Sequence, residues 1–157
     1  MQRVPGFTPP PQLKRYTPPV EMISYPDNFE LTAEKFTARG FESLSPAERI
    51  IHCIWWLEAE VNNGGFDQFF FNSAGDLYAE TCDALTMIGA NKTRKLLDAA
   101  STVAFPATPP TNRAERNSLQ ASSDEATDQL NDLDQKFYAY EDDLTQLVNT
   151  FLASHET

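Results

Sequence analysis

Eleven residues constrain this chain more than any others: Asn62-Asn63-Gly64-Gly65-Phe66-Asp67-Gln68-Phe69-Phe70-Phe71-Asn72. They follow a strongly apolar helical pattern, interrupt it with asparagines and two glycines, and at once begin an aromatic-rich one. Gly64 and Gly65 lack a Cβ and tolerate the positive φ that a tight reversal after a helix end requires. Asp67 then places a negative charge in the first turn of the new helix, where the macrodipole favours it. Phe66, Phe69 and Phe70 stand at i, i+3, i+4 and share one face. The stretch reads as the hub of a helical protein, a helix-turn-helix around which the remaining helices pack.

The helix entering this hub has a clear start. Ser45-Pro46-Ala47-Glu48 is a capping box with proline at the first helical position. Beyond it Ile50, Ile51, Ile54, Trp55, Leu57 and Val61 follow 3.6-residue spacing and form a broad apolar stripe, the mark of a core helix. Glu58 falls within that arc and reads as a partly buried carboxylate bonding the Asn62–Gly65 turn. His52 falls on the opposite side from the stripe.

Upstream, seven of the eleven prolines (Pro5, Pro9, Pro10, Pro11, Pro18, Pro19 and Pro26) lie within the first 26 residues. Proline cannot donate a backbone hydrogen bond and breaks a helix interior, so residues 1–28 read as an extended arm. The single helical domain is expected over 29–157. A short helix is predicted over 32–39, with Thr32 as N-cap and Gly40 just past its end. After the hub, Ser73-Ala74-Gly75 closes the aromatic helix and Asp76 is the candidate cap of a helix carrying Leu77, Tyr78, Cys82, Leu85 and Ile88. Asn91 is the candidate cap of another, with Leu96, Leu97, Ala100 and Val103 inward. Residues 105–113, with three prolines in nine positions, form a connector. A second capping-box pattern, Ser122-Ser123-Asp124-Glu125, opens a helix that turns Leu130, Leu133, Phe137 and Tyr138 inward. Leu144, Leu147, Val148, Phe151 and Leu152 mark the last helix. No alternating β-branched run suggests a strand. The expected fold is all-α, a single domain of six or seven short helices.

Composition narrows the function. The 157 residues carry a formal net charge of −11 and a pI near 4.5, which disfavours direct binding of nucleic acid or an anionic membrane. No apolar run reaches membrane-spanning length, and the N-terminal residues lack the apolar core of a signal peptide, so a cytoplasmic protein is expected. Cys53 and Cys82 fall in apolar helical patterns and read as buried reduced thiols. His52 and His155 are the only histidines, and neither has a partner at catalytic or metal-ligand spacing. No phosphate loop, nucleophile elbow or dinucleotide fingerprint occurs. A non-enzymatic protein without cofactor or metal is expected. Lys92, Arg94 and Lys95 form the one notable basic cluster, read as solvated surface or as a contact for an acidic patch of another subunit.

Three of these features together, Asn-Asn-Gly-Gly-Phe, then Gln-Phe-Phe-Phe-Asn-Ser-Ala-Gly, then a helix closing on Met-Ile-Gly-Ala, resemble the family of DMP19-like proteins. Leu133-Asp134, Phe137-Tyr138 and the final helix are similar to that family's C-terminal part, and the resemblance spans roughly residues 40–155. It implies an all-helical fold, no known enzymatic activity, a homodimer, and, for the family's named member, mimicry of DNA by an acidic surface that occupies a DNA-binding transcription factor. The residues supply a candidate surface: Asp124, Glu125, Asp128, Asp132, Asp134, Glu141, Asp142 and Asp143 oppose Lys136 alone. Drawn out as one helix of about 28 Å, the segment would carry roughly one net charge per 4 Å. That approaches one DNA strand, at about 3.4 Å per charge, and falls short of a duplex. Two readings follow: an acidic protein that sequesters a basic DNA-binding protein, or an interaction or immunity-type module that recognises a protein partner by shape and apolar contacts.

Overall fold

A computed structural model describes residues 24–155. The proline-rich stretch up to Ile23, where most of the extended arm is expected, lies outside the described residues. Seven α-helices make up the fold, and no strand occurs among the described residues. They are α1 (Phe29–Arg39), α2 (Pro46–Phe71), α3 (Tyr78–Met87), α4 (Asn91–Ala104), α5 (Arg113–Leu119), α6 (Asp124–Tyr138) and α7 (Leu144–Ser154). Short 3-10 turns at Phe41–Ser43 and Ser73–Leu77 flank α2.

Helix α2 is the axis of the molecule. The capping box forms as its spacing requires: Ser45 Oγ accepts from the Glu48 amide at 3.2 Å, and Glu48 accepts from the Ser45 amide at 2.7 Å. Ile50, Ile51, His52, Cys53, Ile54, Leu57, Glu60 and Val61 are all buried. They point in nearly every direction around the helix, as a central helix covered on several sides must. Helix α1 lies over the edge of the predicted stripe at Trp55, where Phe29 stacks with ring centres 3.6 Å apart, and over the side opposite it, where Phe36 stacks on His52 at 4.3 Å. His52 is therefore a core residue.

Helix α1 begins three residues before the expected start. Thr32 is buried inside it, and its hydroxyl bonds the Asn28 carbonyl at 3.0 Å. The stretch leading into α1 is fastened to the other end of the chain. Tyr25 is buried, exchanges backbone hydrogen bonds of 2.8 Å with the Asn149 amide group of α7, and donates its hydroxyl to Glu58. Helices α3, α4, α6 and α7 cover α2's remaining sides with Cys82, Leu85, Leu97, Leu130, Phe137, Leu144, Val148 and Leu152.

The hub is narrower than a helix-turn-helix with a loop. Helical geometry is lost only at Gly64 (φ −154°, ψ 20°) and Gly65 (φ 76°, ψ −177°). Positive φ is thus confined to Gly65, while Gly64 stays in extended φ that other residues also adopt. A Cβ on Gly65 would run into the Asp134 carboxylate, with Cγ at 2.7 Å; on Gly64 it would meet the flexible Gln68 side chain, whose Cβ lies at 2.9 Å. Gly65→Ala combines left-handed strain with displacement of a buried carboxylate and should cost about 2–5 kcal/mol. Gly64→Ala should cost clearly less. Urea unfolding of the two variants checks this ranking, and equal midpoints would contradict it.

Candidate functional site

The interruption at Gly64-Gly65 exposes a backbone amide inside the core, and the chain answers with a side chain from far away. Asp134 on α6 accepts the Phe66 N–H at 2.8 Å. Asp134 is buried, with 7 % of its surface exposed. Burial pushes its carboxyl above the ordinary range while the Phe66 amide pulls it back. Its expected place on an acidic contact face is therefore corrected: it caps the positive end of the aromatic segment Phe66–Phe71.

The negative end of the same segment is closed by a cation that composition does not reveal. Arg116, on α5 beyond the proline connector, has no exposed surface. Its guanidinium donates to Phe70 O (2.6 Å), Asn72 O (2.9 Å), Pro110 O (2.9 Å), Thr111 O (3.1 Å) and Asp76 Oδ1 (2.6 Å). That uses all the donors a guanidinium has, in the fixed fork that lets arginine be buried. Gly75 makes room for it, since a Cβ there would lie 2.8 Å from Arg116 Nε and 2.9 Å from two backbone carbonyl oxygens. Asp76, expected to cap α3, instead pairs with Arg116 and with Arg113. The carboxylate bracing the break is Glu60, not Glu58. Buried Glu60 accepts from Gln68 at 2.7 Å and from Asn72 at 3.0 Å. Glu58 receives Tyr25, and burial raises its carboxyl while that hydroxyl lowers it. Asn62 donates to the Tyr140 hydroxyl at 2.8 Å, Asn63 is exposed, and Phe66, Phe69 and Phe70 are wholly enclosed.

The eight acidic residues do not form one continuous face. Helix α6 ends at Tyr138, and Tyr140 turns the chain with φ of 46°. Beyond that turn, Asp142 accepts from the Thr93 amide at 2.7 Å and its hydroxyl at 3.0 Å. It thereby caps α4, the task expected of Asn91, which lies inside that helix. Asp143 caps α7 through the Gln146 amide at 3.0 Å, and Glu141 faces Lys92 at 3.5 Å. Asp124, Glu125, Asp128 and Asp132 remain exposed on α6. Arg94, from the basic cluster, is tied to Asp98 at 3.0 Å. Tyr138, expected inward, keeps 39 % exposure and donates only its hydroxyl to Val61 O.

Among the described residues no group of three or more His, Cys, Asp or Glu is placed to hold a metal, and no helix is long and apolar enough to cross a membrane. Cys53 and Cys82 are free and buried, and burial pushes the Cys53 thiol up to about 12.

The model of the DMP19-like protein family matches residues 42–155. The chain belongs to the DMP19-like family. The matched span begins just before the α2 capping box and takes in both ionic clamps, which sit on its glycine and aromatic motifs. No curated protein and no solved structure matches the chain.

Replacing Arg116 by Met leaves the Phe70 and Asn72 carbonyls and the Asp76 carboxylate without their donor inside the fold. A loss of about 3–5 kcal/mol is expected in denaturant unfolding, against a much smaller loss for Asp76→Asn, whose side chain is 37 % exposed. His52 gives a pH signature. Burial holds its imidazolium down from 6.5 to about 4, so its contribution to stability is complete above about pH 6.5 and is lost as pH falls towards 4. The loss should reach about 3 kcal/mol. Glu58 and Asp134, raised by burial, act with the opposite sign, favouring the fold at low pH. The difference between wild type and His52→Phe across pH 4–7 isolates the histidine, and parallel curves would remove it from the acid response.

Proposed function

We propose that this protein is a non-enzymatic acidic binding protein that sequesters a basic, DNA-binding protein partner, with the outer face of α6 as its contact surface. The observation carrying this reading is that Asp124, Asp128 and Asp132 stand at i, i+4, i+8 on one exposed face, with Glu125 beside them, and that no arginine or lysine among the described residues pairs with them. Like charges at that spacing cost a few tenths of a kcal/mol per pair in an isolated helix. Their presence supports a role outside the fold.

The charge density limits the form that mimicry takes. The 15 residues of α6 span about 22 Å. Four exposed carboxylates against Lys136 leave roughly one net charge per 7 Å, about half the density of a single DNA strand. One helix is a patch for a basic surface. Mimicry of a duplex draws on a second array of carboxylates, which the homodimer implied by the family resemblance would supply. The two buried free thiols suit a reducing cytoplasm.

One observation favours recognition by shape and apolar contact instead. Phe71 (55 % exposed) lies one turn beyond Asp67, and Asp67 is bound by Gln120, the neighbour of Leu119 (47 % exposed). Salt separates the two readings: a charge-steered complex weakens steeply between low and moderate ionic strength and is competed by duplex DNA, while an apolar one is not.

The Asn triple variant at Asp124, Asp128 and Asp132 should melt at the parental temperature or slightly above it, since repulsion is relieved. Its affinity for a basic partner captured at low salt should fall, with a shallower salt slope. Parental affinity with an unchanged slope would show that this face is only solvated.

A further inference from the structure

Two partly exposed tyrosines stand beside the point where the described chain begins. Tyr138 and Tyr140 are 39 % and 38 % exposed, and their ring centres lie 6.4 and 5.4 Å from that of Phe137. Their hydroxyls land on consecutive residues of α2: Tyr138 donates to Val61 O at 2.9 Å, and Tyr140 accepts from the Asn62 side chain at 2.8 Å. The hydroxyls are engaged and the rings held in place, so ring surface is what the pair offers. One turn back along α2, Glu58 receives the hydroxyl of buried Tyr25, the second described residue of the chain. The chain therefore enters the fold next to this aromatic pair.

The residues before Ser24 have the chemistry that such a surface selects. Proline-rich segments dock on exposed aromatic rings, because their extended conformation is set in advance and little entropy is lost on binding. Pro18 and Pro19 lie six and five residues before Ser24, a reach of about 16–19 Å at about 3.1 Å per residue, whereas a single turn of α2 separates Glu58 from Asn62. Charge gives the direction. Residues 1–23 carry Arg3, Lys14 and Arg15 against Glu21, a charge of +2 in a chain whose total is −11. Lys14 and Arg15 precede Pro18 by four and three residues, about 12 and 9 Å along an extended chain. Asp132 and Asp128 precede Tyr138 by six and ten residues, about 9 and 15 Å back along α6. Both carboxylates are exposed, and no cation among the described residues pairs with them. We propose that residues 14–20 dock back on the body of the same chain, with Pro18-Pro19 on the Tyr138 and Tyr140 rings and Lys14-Arg15 on Asp132 and Asp128. This docking needs no outside partner and stands independently of the role proposed for α6.

The test uses the full chain alone in solution. Nuclear Overhauser contacts should join the Pro18 and Pro19 ring protons to the aromatic protons of Tyr138 and Tyr140. In a mixture of isotope-labelled and unlabelled chains, those contacts should fall within one molecule. Pro18→Gly combined with Pro19→Gly should abolish them and uncover both tyrosine rings, raising their photochemically induced nuclear polarisation by roughly threefold or more. Lys14→Gln combined with Arg15→Gln should weaken the contacts by roughly twofold or more at low salt and match wild type at high salt, where screening removes the charge contribution. All four positions precede the described helices, so these variants leave the packed core untouched. Absence of the proline–tyrosine contacts, or equal ring accessibility in wild type and the glycine variant, overturns the proposal. So does a glutamine variant that matches wild type at low salt, and so do contacts found only between labelled and unlabelled chains, which place the segment on a second copy. No basic partner enters any of these readouts, so an α6 face that binds nothing outside the chain leaves the result intact.

Discussion

The hydrogen bond from the Phe66 amide to the Asp134 carboxylate is the contact on which the rest of this fold depends. A central helix broken at Gly64-Gly65 must leave amides without intrahelical partners at the restart, and here the restart is inside the core, where an unpaired amide costs as much as a lost hydrogen bond. Asp134 supplies the missing acceptor and Arg116 binds the carbonyls at the other end of the same segment. The signs match the dipole of the short aromatic helix, with the anion at its amide end and the cation at its carbonyl end. Because one clamp comes from α6 and the other from α5, fixing the aromatic segment also fixes where those two helices lie. Phe66 then packs edge-to-face on Phe137, Phe70 on Phe105, and Phe69 on Phe70.

Local signals were legible in the residues, and distant partners were not. The Ser45–Glu48 box, the apolar stripe of α2 and the Phe66/Phe69/Phe70 face depend on spacing within one turn or two, and they appear where spacing puts them, whereas the expected Ser122–Glu125 box does not form, since Ser123 caps α6 by accepting the Ala126 amide. Residues whose role is set by another element were misplaced. Asp134 stands at i+4 from Leu130 and i−3 from Phe137, on the inward face of α6, so spacing separates it from the exposed Asp132, but its partner, the amide of Phe66, is 68 positions away and has no local sign. Asp142 and Asp76 were drawn from their expected places by Thr93 and Arg116 in the same way. His52 was assigned to an outer face because a helical wheel shows α2 alone and not α1 lying over it. Arg116 gave one usable sign: an arginine just after a proline-rich connector, in a chain whose glycine at position 75 permits a close approach.

These placements change what the acidic composition means. Four of the eight carboxylates between Asp124 and Asp143 are occupied, two as caps, one inside the core and one in an ion pair. Asp134, Asp142 and Asp143 stabilise the fold by satisfying amides that the helix starts leave open, and Glu141 faces Lys92 at the surface. A net charge of −11 therefore overstates the field available at any one surface, and of the eight carboxylates between Asp124 and Asp143 the exposed ones without a partner in the fold lie at the start and middle of α6. A partner steered by this field would meet the N-terminal half of that helix first.

The motifs that identify the family are consumed by the structure. Gly65 admits Asp134, Gly75 admits Arg116, Asn72 bonds Glu60, and the phenylalanines fill the core. These residues are held by contacts to this chain, whereas Phe71 and Met87 of the same motifs stay exposed. The span matched by the family model, residues 42–155, contains this clamped, broken helix and the helices packed on it. Under the proposed function, binding specificity comes from positions that this framework leaves unconstrained, chiefly the outer residues of α6 and the exposed Phe71 and Leu119. Relatives that keep the clamps and differ at those positions can share the fold and bind different molecules.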